Sequence, residues 1–205
     1  KSNNARFGGR GSDGDDQGNA PLVVRSNFAD LAFWQADLET DTDGNASVRF
    51  KLPDTLTTWV ARARGVSAEV LVGEADAAVQ TAKDLLVRLQ APRFFTEQDE
   101  VVLSAIVRND RPVDVQVETS IKLSGEAIEL LEDSIRKITV GARTEVRVNW
   151  RVRVLSKGQV TVLLKALSTQ ESDAVSLSFP VLPYGIDKVI TANAILEDDA
   201  TQSIV

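Results

Sequence analysis

A chain of 205 residues has room for one large or two small domains, at the usual scale of about 150 residues each. Its composition, 43% hydrophobic and 26% charged, is that of a folded globular chain and excludes disordered and collagen-like classes, while a net charge of −7 argues against a sequence-blind grip on nucleic-acid phosphates or anionic lipid. Histidine and cysteine are both absent, which removes the usual neutral-pH base, the thiol nucleophile, the common zinc ligands and every disulfide, so no Ser-His-Asp machine can be assembled and no cofactor or metal is expected.

Methionine is also absent, even at position 1, and the chain reads as a piece of something longer. Lys1-Ser2-Asn3-Asn4 has no apolar signal core, and no apolar run approaches the roughly 18 residues needed to span a bilayer. Residues 1–20 hold five of the 12 glycines together with Asp13, Asp15 and Asp16, and Phe7 is their only large apolar side chain. Such a stretch cannot offset an ordering cost of about 1–2 kcal/mol per residue, and a flexible arm is expected.

From Leu22 onward the dominant period is two, the mark of strands with one face in a core. In Ala46–Leu52 apolar residues alternate with Ser47, Arg49 and Lys51, which predicts a half-buried strand closed by Pro53. The preceding Asp41-Thr42-Asp43-Gly44-Asn45 supplies an Asp-Gly turn leading back to Leu31–Leu38. Thr57–Val66 predicts a third strand, with Trp59, Ala61 and Ala63 on one side and Arg62 and Arg64 on the other; Ala68–Val72 predicts a fourth, ending at Gly73. Residues 74–82, with four alanines, read as a link between two units.

A longer strand series follows: Leu85, Val87 and Leu89; Val101 to Val107; Val113 to Ile121; Glu126–Leu131; Ile138–Val140; Val146 to Val154; Val160 to Ala166; and Val175 to Val181. The plainest pattern sets Val146, Val148, Trp150, Val152 and Val154 against Arg147, Asn149, Arg151 and Arg153. Short strands at this spacing, separated by Asn109-Asp110, Ser124-Gly125, Gly141 and Lys157-Gly158, predict an all-β antiparallel sandwich.

Few constellations carry chemistry. An EF-hand opening at Asp41 needs a bidentate Glu at its twelfth position and finds Leu52; one opening at Asp13 finds Val24. Gly8-Gly9-Arg10-Gly11 follows no strand and lacks the Gly-Lys-Ser/Thr ending of a phosphate loop. The adjacent carboxylates Glu132-Asp133 and Asp198-Asp199 would point to opposite faces of a strand. Arg147, Asn149, Arg151 and Arg153 form a basic strand face that would suit a binding partner, but they read rather as a solvated outer face or an edge guarded by charge. Trp34, Trp59 and Trp150 would suit a sugar-stacking platform, but Trp59 and Trp150 are in phase with apolar neighbours and read as core.

Particular residues go further than period and composition. Val24-Arg25-Ser26-Asn27-Phe28, Phe33-Trp34, Thr40 with Asp43-Gly44, and Leu52-Pro53-Asp54 with Thr57-Thr58-Trp59 resemble, in order and spacing, the block that follows the bait region in the alpha-2-macroglobulin family. Leu86-Val87-Arg88-Leu89, Pro92-Arg93-Phe94-Phe95, Asp99 and Val107-Arg108-Asn109 are similar to the start of the next macroglobulin-like domain, and Val181-Leu182-Pro183-Tyr184-Gly185 to its exit in bacterial members. Gln98 departs from the pattern by standing where many members have glycine.

The resemblance implies immunoglobulin/fibronectin-III-like (macroglobulin-like) sandwiches: 1–20 as an arm that would be the end of the bait, 21–82 as a partial domain, 83–182 as a complete one, and 183–205 as linker and start of another. It implies an extracellular or periplasmic endopeptidase inhibitor that traps proteases by bait cleavage and collapse, with no enzyme activity, Arg6 and Arg10 suiting trypsin-like cleavage. The thioester motif Cys-Gly-Glu-Gln has no counterpart in these residues, and the family order would place it after residue 205. Expected partners are proteases through the full-length protein, neighbouring domains, and a second copy through the apolar faces of 21–82. The alternative is a surface-protein sandwich module that binds a glycan or protein ligand.

Overall fold

A computed structural model describes residues 22–185. The expected arm 1–20, with Arg6 and Arg10, lies outside the described residues, as does the stretch from Ile186 onward. Every regular element among the described residues is a strand. In chain order these are β1 (Val24–Arg25), β2 (Thr58–Val66), β3 (Val72–Gln80), β4 (Leu85–Gln90), β5 (Phe95–Thr96), β6 (Glu100–Asn109), β7 (Val115–Ser124), β8 (Ile128–Leu130), β9 (Ile135–Val140), β10 (Glu145–Val154), β11 (Gly158–Leu167) and β12 (Ser172–Leu182).

Two sheets share one core. The larger runs β1-β12-β11-β7-β9, with β5 also on β12; the smaller runs β4-β6-β10-β8. The pairing is antiparallel except where the short β1 and β5 join β12 in parallel. The alternation in β10 is realised: Val148, Trp150, Val152 and Val154 are buried, and Arg147, Asn149, Arg151 and Arg153 face water. Val160, Val162, Leu164 and Ala166 of β11 answer from the facing sheet. Trp150 is wholly buried and its indole N–H donates to the Asp133 carbonyl at 3.1 Å, which satisfies the one polar group the ring carries inward.

Corners are fixed by polar groups and by glycine. Buried Asn109 ends β6; its amide nitrogen donates to the carbonyls of Val113, Val140 and Gly141, while its oxygen accepts from the Arg111 N–H. At Gly125 the backbone has φ +112°, and a Cβ would come within 2.6 Å of the Gln159 carbonyl oxygen, so the turn between β7 and β8 demands glycine. Gln98 has φ 70°, the left-handed region that glycine occupies without cost, which gives its departure from the family pattern a physical meaning.

Three expected elements within residues 31–82 are corrected. Ala46–Leu52 and Leu31–Leu38 form no strand ladder, although the turn between them forms: Asp41 N–H donates to the Asn45 carbonyl at 2.8 Å and Gly44 N–H to the Asp41 carbonyl at 3.0 Å. The flanks touch through stacked Phe33 and Phe50, 4.8 Å between ring centroids, but Val48 and Phe50 remain exposed, so no buried face fixes a register. The predicted strand Ala68–Val72 is mostly a turn over Ser67–Leu71, and the expected link 74–82 is largely strand β3.

The β2–β3 hairpin pairs in full register from Thr58↔Gln80 to Val66↔Val72, with Ala61 opposite Ala77 and Ala63 opposite Ala75 on one face. On the other face Arg62 meets Asp76 and Arg64 meets Glu74 at 2.9 and 3.0 Å. These cross-strand charges, not a broad apolar face, hold the pair in register. Trp59, expected in a core, is only half-buried, since β2 pairs with β3 alone in a two-stranded sheet whose strand residues are otherwise exposed.

Candidate functional site

The densest polar constellation joins the start of the described chain to the sandwich. β1 is two residues long and lies parallel to β12, with Val24 opposite Ala174 and Arg25 opposite Val175. That register brings the Arg25 guanidinium onto Asp173 in a bidentate grip: Nε to Oδ1 at 2.9 Å and Nη2 to Oδ2 at 2.7 Å. Arg25 is 7% exposed and Asp173 0%, so the pair is buried. A second cation closes the site, since Lys83 Nζ donates to Asp173 Oδ1 and to the Ser172 carbonyl, both at 3.0 Å.

The same pair caps a sheet edge. β4 is the outer strand of the smaller sheet, and Val87 directs its N–H to Asp173 Oδ2 at 2.8 Å and accepts at its carbonyl from Arg25 Nη2 at 2.7 Å. One carboxylate and one guanidinium thus take the place of a neighbouring strand. Buried backbone groups require partners, and here the partners come from elements far away in the chain. The Arg25 guanidinium also lies over the Phe28 ring, 5.7 Å from its centroid, and Phe28 packs against the sandwich core.

The other side of this segment is held by Asp54. Its Oδ2 accepts from the N–H groups of Ser26 and Asn27, each at 2.9 Å, and its own N–H donates to the Asn27 carbonyl at 2.6 Å. Partial burial pushes the Asp54 carboxyl up, but the amides of Asn27 and Ser26 and the nearby Lys51 and Arg25 charges outweigh it and hold the group below its ordinary value. Thr81, just beyond β3, donates its hydroxyl to the carbonyls of Thr55 and Thr57 and accepts from the Thr57 N–H, which closes the base of the hairpin onto the segment that carries Asp54. The Val-Arg-Ser-Asn-Phe and Pro-Asp-x-x-Thr-x-Trp blocks, 28 positions apart at Ser26 and Asp54, are therefore bonded to one another.

Elsewhere the surface is charge-compensated. Arg151 pairs with Glu132 at 2.8 Å, Arg153 with Glu100 at 2.9 Å and with Glu129 at 3.2 Å, and Arg88 with Glu145 at 3.2 Å. Of the β10 arginines, Arg153 thus reaches carboxylates on both neighbouring strands, β6 and β8, and Arg151 one on the connection between β8 and β9. The Asp41 carboxylate, first position of the failed calcium match, accepts from Asp43 N–H and Asn45 N–H at 3.0 and 2.8 Å, a turn-capping role. Among the described residues no three acidic side chains gather as a cation site. Of the three tryptophans, Trp150 is wholly buried and Trp34 is 78% exposed.

Sequence reasoning placed Arg25 and Asp54 in meaningful motifs but passed over Asp173 and Lys83. The available signal was an acid opening the apolar run Ala174-Val175, where a carboxylate is tolerated only if paired.

An all-strand fold of two facing sheets with these edge additions is a macroglobulin-like β-sandwich. The model of the alpha-2-macroglobulin family matches residues 31–121, and the resemblance to that family read from the sequence is borne out. The chain is 29% identical over 185 residues to alpha-2-macroglobulin of Thermotoga maritima, covering 89% of this chain and 12% of that protein. It is 34% identical over 93 residues to an alpha-2-macroglobulin homolog of a Nostoc species, covering 45% of this chain and 5% of that one. The solved structure of Escherichia coli alpha-2-macroglobulin activated by porcine elastase aligns with a TM-score of 0.64 at 20% identity, over 81% of this chain and 15% of that chain. The chain thus spans about an eighth or less of the curated relatives named here.

Proposed function

We propose that this chain is a scaffold segment of an alpha-2-macroglobulin-like, broad-range endopeptidase inhibitor, acting by conformational change and performing no bond chemistry of its own. The observation that supports it most directly is the bonding of the two family blocks through Asp54 and their joint attachment to the sandwich through Arg25. A trap that collapses after its bait is cut needs β layers that move as rigid bodies and short connections that carry the movement between them. In this reading residues 1–20 are the end of the bait, with Arg6 and Arg10 suited to trypsin-like cleavage; 21–82 is a partial domain, 83–182 a complete sandwich, and 183–205 the linker and start of the next unit. The protein works outside the cytoplasm, in the periplasm or beyond the cell.

Its partners are proteases, adjoining domains of the longer protein and, for an isolated segment, a second copy meeting the exposed Leu31, Trp34, Val60 and Val72. The test is a trapping assay on the longer protein carrying this segment. Protease that has cut the bait should still hydrolyse a small chromogenic peptide while losing activity on a large protein substrate. Equal activity on both after cleavage would reject the trap. One observation favours the reading of a glycan-binding module, the outward Trp34 ring at 78% exposure; retained glycan-array signal that disappears in Trp34→Ala would select it.

A further inference from the structure

Residues 24–28 are bonded on two sides to different parts of the molecule. Toward the sandwich, Val24 and Arg25 pair with β12 and the guanidinium seats on Asp173. Toward the hairpin, the amides of Ser26 and Asn27 share Asp54, which lies four residues before β2. We propose that this segment is a strap fastened at two ends, Arg25 on the sandwich and Asp54 at the hairpin base, and that Arg25 is its releasable end.

The asymmetry of the Asp173 site supports release at that end. A buried carboxylate abandoned by its sole cation would be left uncompensated, which makes such a pair hard to part. Asp173 has two cations, so when Arg25 leaves, Lys83 and the Val87 N–H remain on the carboxylate and the socket stays a one-to-one ion pair; the Val87 carbonyl, which accepted from Arg25 Nη2, is the one group of the socket left to be met by water. Arg25 returns to water, where a guanidinium is well solvated. What then remains of the attachment is the ladder of β1, two residues long, and the seating of Phe28. A ladder that short does not hold a segment by itself. The Asp54 end has no such spare: its carboxylate accepts two backbone amides and its N–H meets the Asn27 carbonyl, so Ser26 and Asn27 travel with the hairpin base. Displacement of the hairpin is therefore transmitted to β12 and β4 until Arg25 lets go.

The test uses the whole 205-residue chain, whose lack of cysteine allows spin labels to be placed at will. Labels at the exposed Glu69, on the hairpin tip, and Lys122, on the sandwich, report the distance between the two bodies. In the parent sequence the distance distribution is narrow; in Arg25→Gln it broadens, and the amides of residues 24–28 exchange about tenfold faster, while β6, β10 and β11 keep their protection within about twofold. Asp54→Asn broadens the same distribution but leaves the Arg25 amide protected. An unchanged distribution in Arg25→Gln overturns the proposal. So does a loss of protection spread evenly over β6, β10 and β11, which would make Arg25 an ordinary part of the sandwich. Neither outcome touches the trapping assay, so failure of the strap and failure of the inhibitor reading are told apart.

Discussion

Val70 occupies in the turn Ser67–Leu71 the position that Gly44 occupies in the turn Asp41–Asn45. Both turns close with an N–H of the first residue on the carbonyl of the fifth, at 2.8 Å, and both return the fourth N–H to the first carbonyl at 3.0 Å. In each, the side-chain oxygen of the first residue accepts from the third and fifth amides. The fourth residue has positive φ in both, 79° at Gly44 and 65° at Val70. Glycine adopts that region freely, whereas a β-branched side chain there is strained by about 1–2 kcal/mol.

Val70→Gly is therefore expected to tighten the β2–β3 hairpin despite removing an apolar side chain, because that side chain is 76% exposed and contributes little. Allowing for the added freedom of glycine in the unfolded chain, the gain is about 1 kcal/mol, roughly fivefold slower exchange of the paired amides. Gly44→Val should loosen its own turn by a similar amount. Exchange in Val70→Gly equal to or faster than in the parent would refute the equivalence of the two turns.

Tryptophan substitutions should separate core from surface. Trp150→Ala opens a large cavity and takes one of two donors from the Asp133 carbonyl, which keeps its bond from Arg136 Nη1 at 2.7 Å, at a cost of about 3–5 kcal/mol in chemical denaturation. Trp34→Ala should stay within about 0.5 kcal/mol of the parent. Similar losses at both positions would contradict the burial described for Trp150.

Asn109→Asp replaces an amide donor that faces the carbonyl oxygens of Val113, Val140 and Gly141 with an acceptor. The exchange leaves buried acceptors facing one another and should cost about 3 kcal/mol, against about 2 kcal/mol for Asn109→Ala. An aspartate variant as stable as the parent would mean that the side chain is not the corner's donor.

The Asp54 contacts carry a pH dependence whose sign is fixed. Its folded value lies below the ordinary 3.8, so its share of stability is complete above that value and is lost as pH falls through the lower, folded one. In an NMR titration the Ser26 and Asn27 amide shifts should move together with a midpoint below 3.8, and Asp54→Asn should remove the inflection. A midpoint at or above the ordinary value would show that the two amides do not hold the carboxylate.

The sandwich was legible because each strand has one buried face: the alternation from Val146 to Val154 states in sequence what β10 does in space. The same rule failed at Ala46–Leu52, since alternation shows that a strand would have an apolar face and not that anything covers it. It failed in the opposite sense at β3, where Ala75 and Ala77 are too small to mark a face and the register is carried by Asp76 and Glu74 against Arg62 and Arg64. At the candidate site, Arg25 and Asp54 stood out through family resemblance. Asp173 did not, because it lies 148 positions from Arg25 and no local period connects them. Gln98 was marked by resemblance alone, and its φ of 70° supplies the reason.

The proposed trap requires β layers that survive its motion intact. Hydrogen exchange of the longer protein before and after bait cleavage measures this directly. Amides of β6, β10 and β11 should keep their protection within about twofold while those of residues 24–28 change by about tenfold or more. Core strands that lose protection on cleavage, with residues 24–28 unchanged, would contradict it.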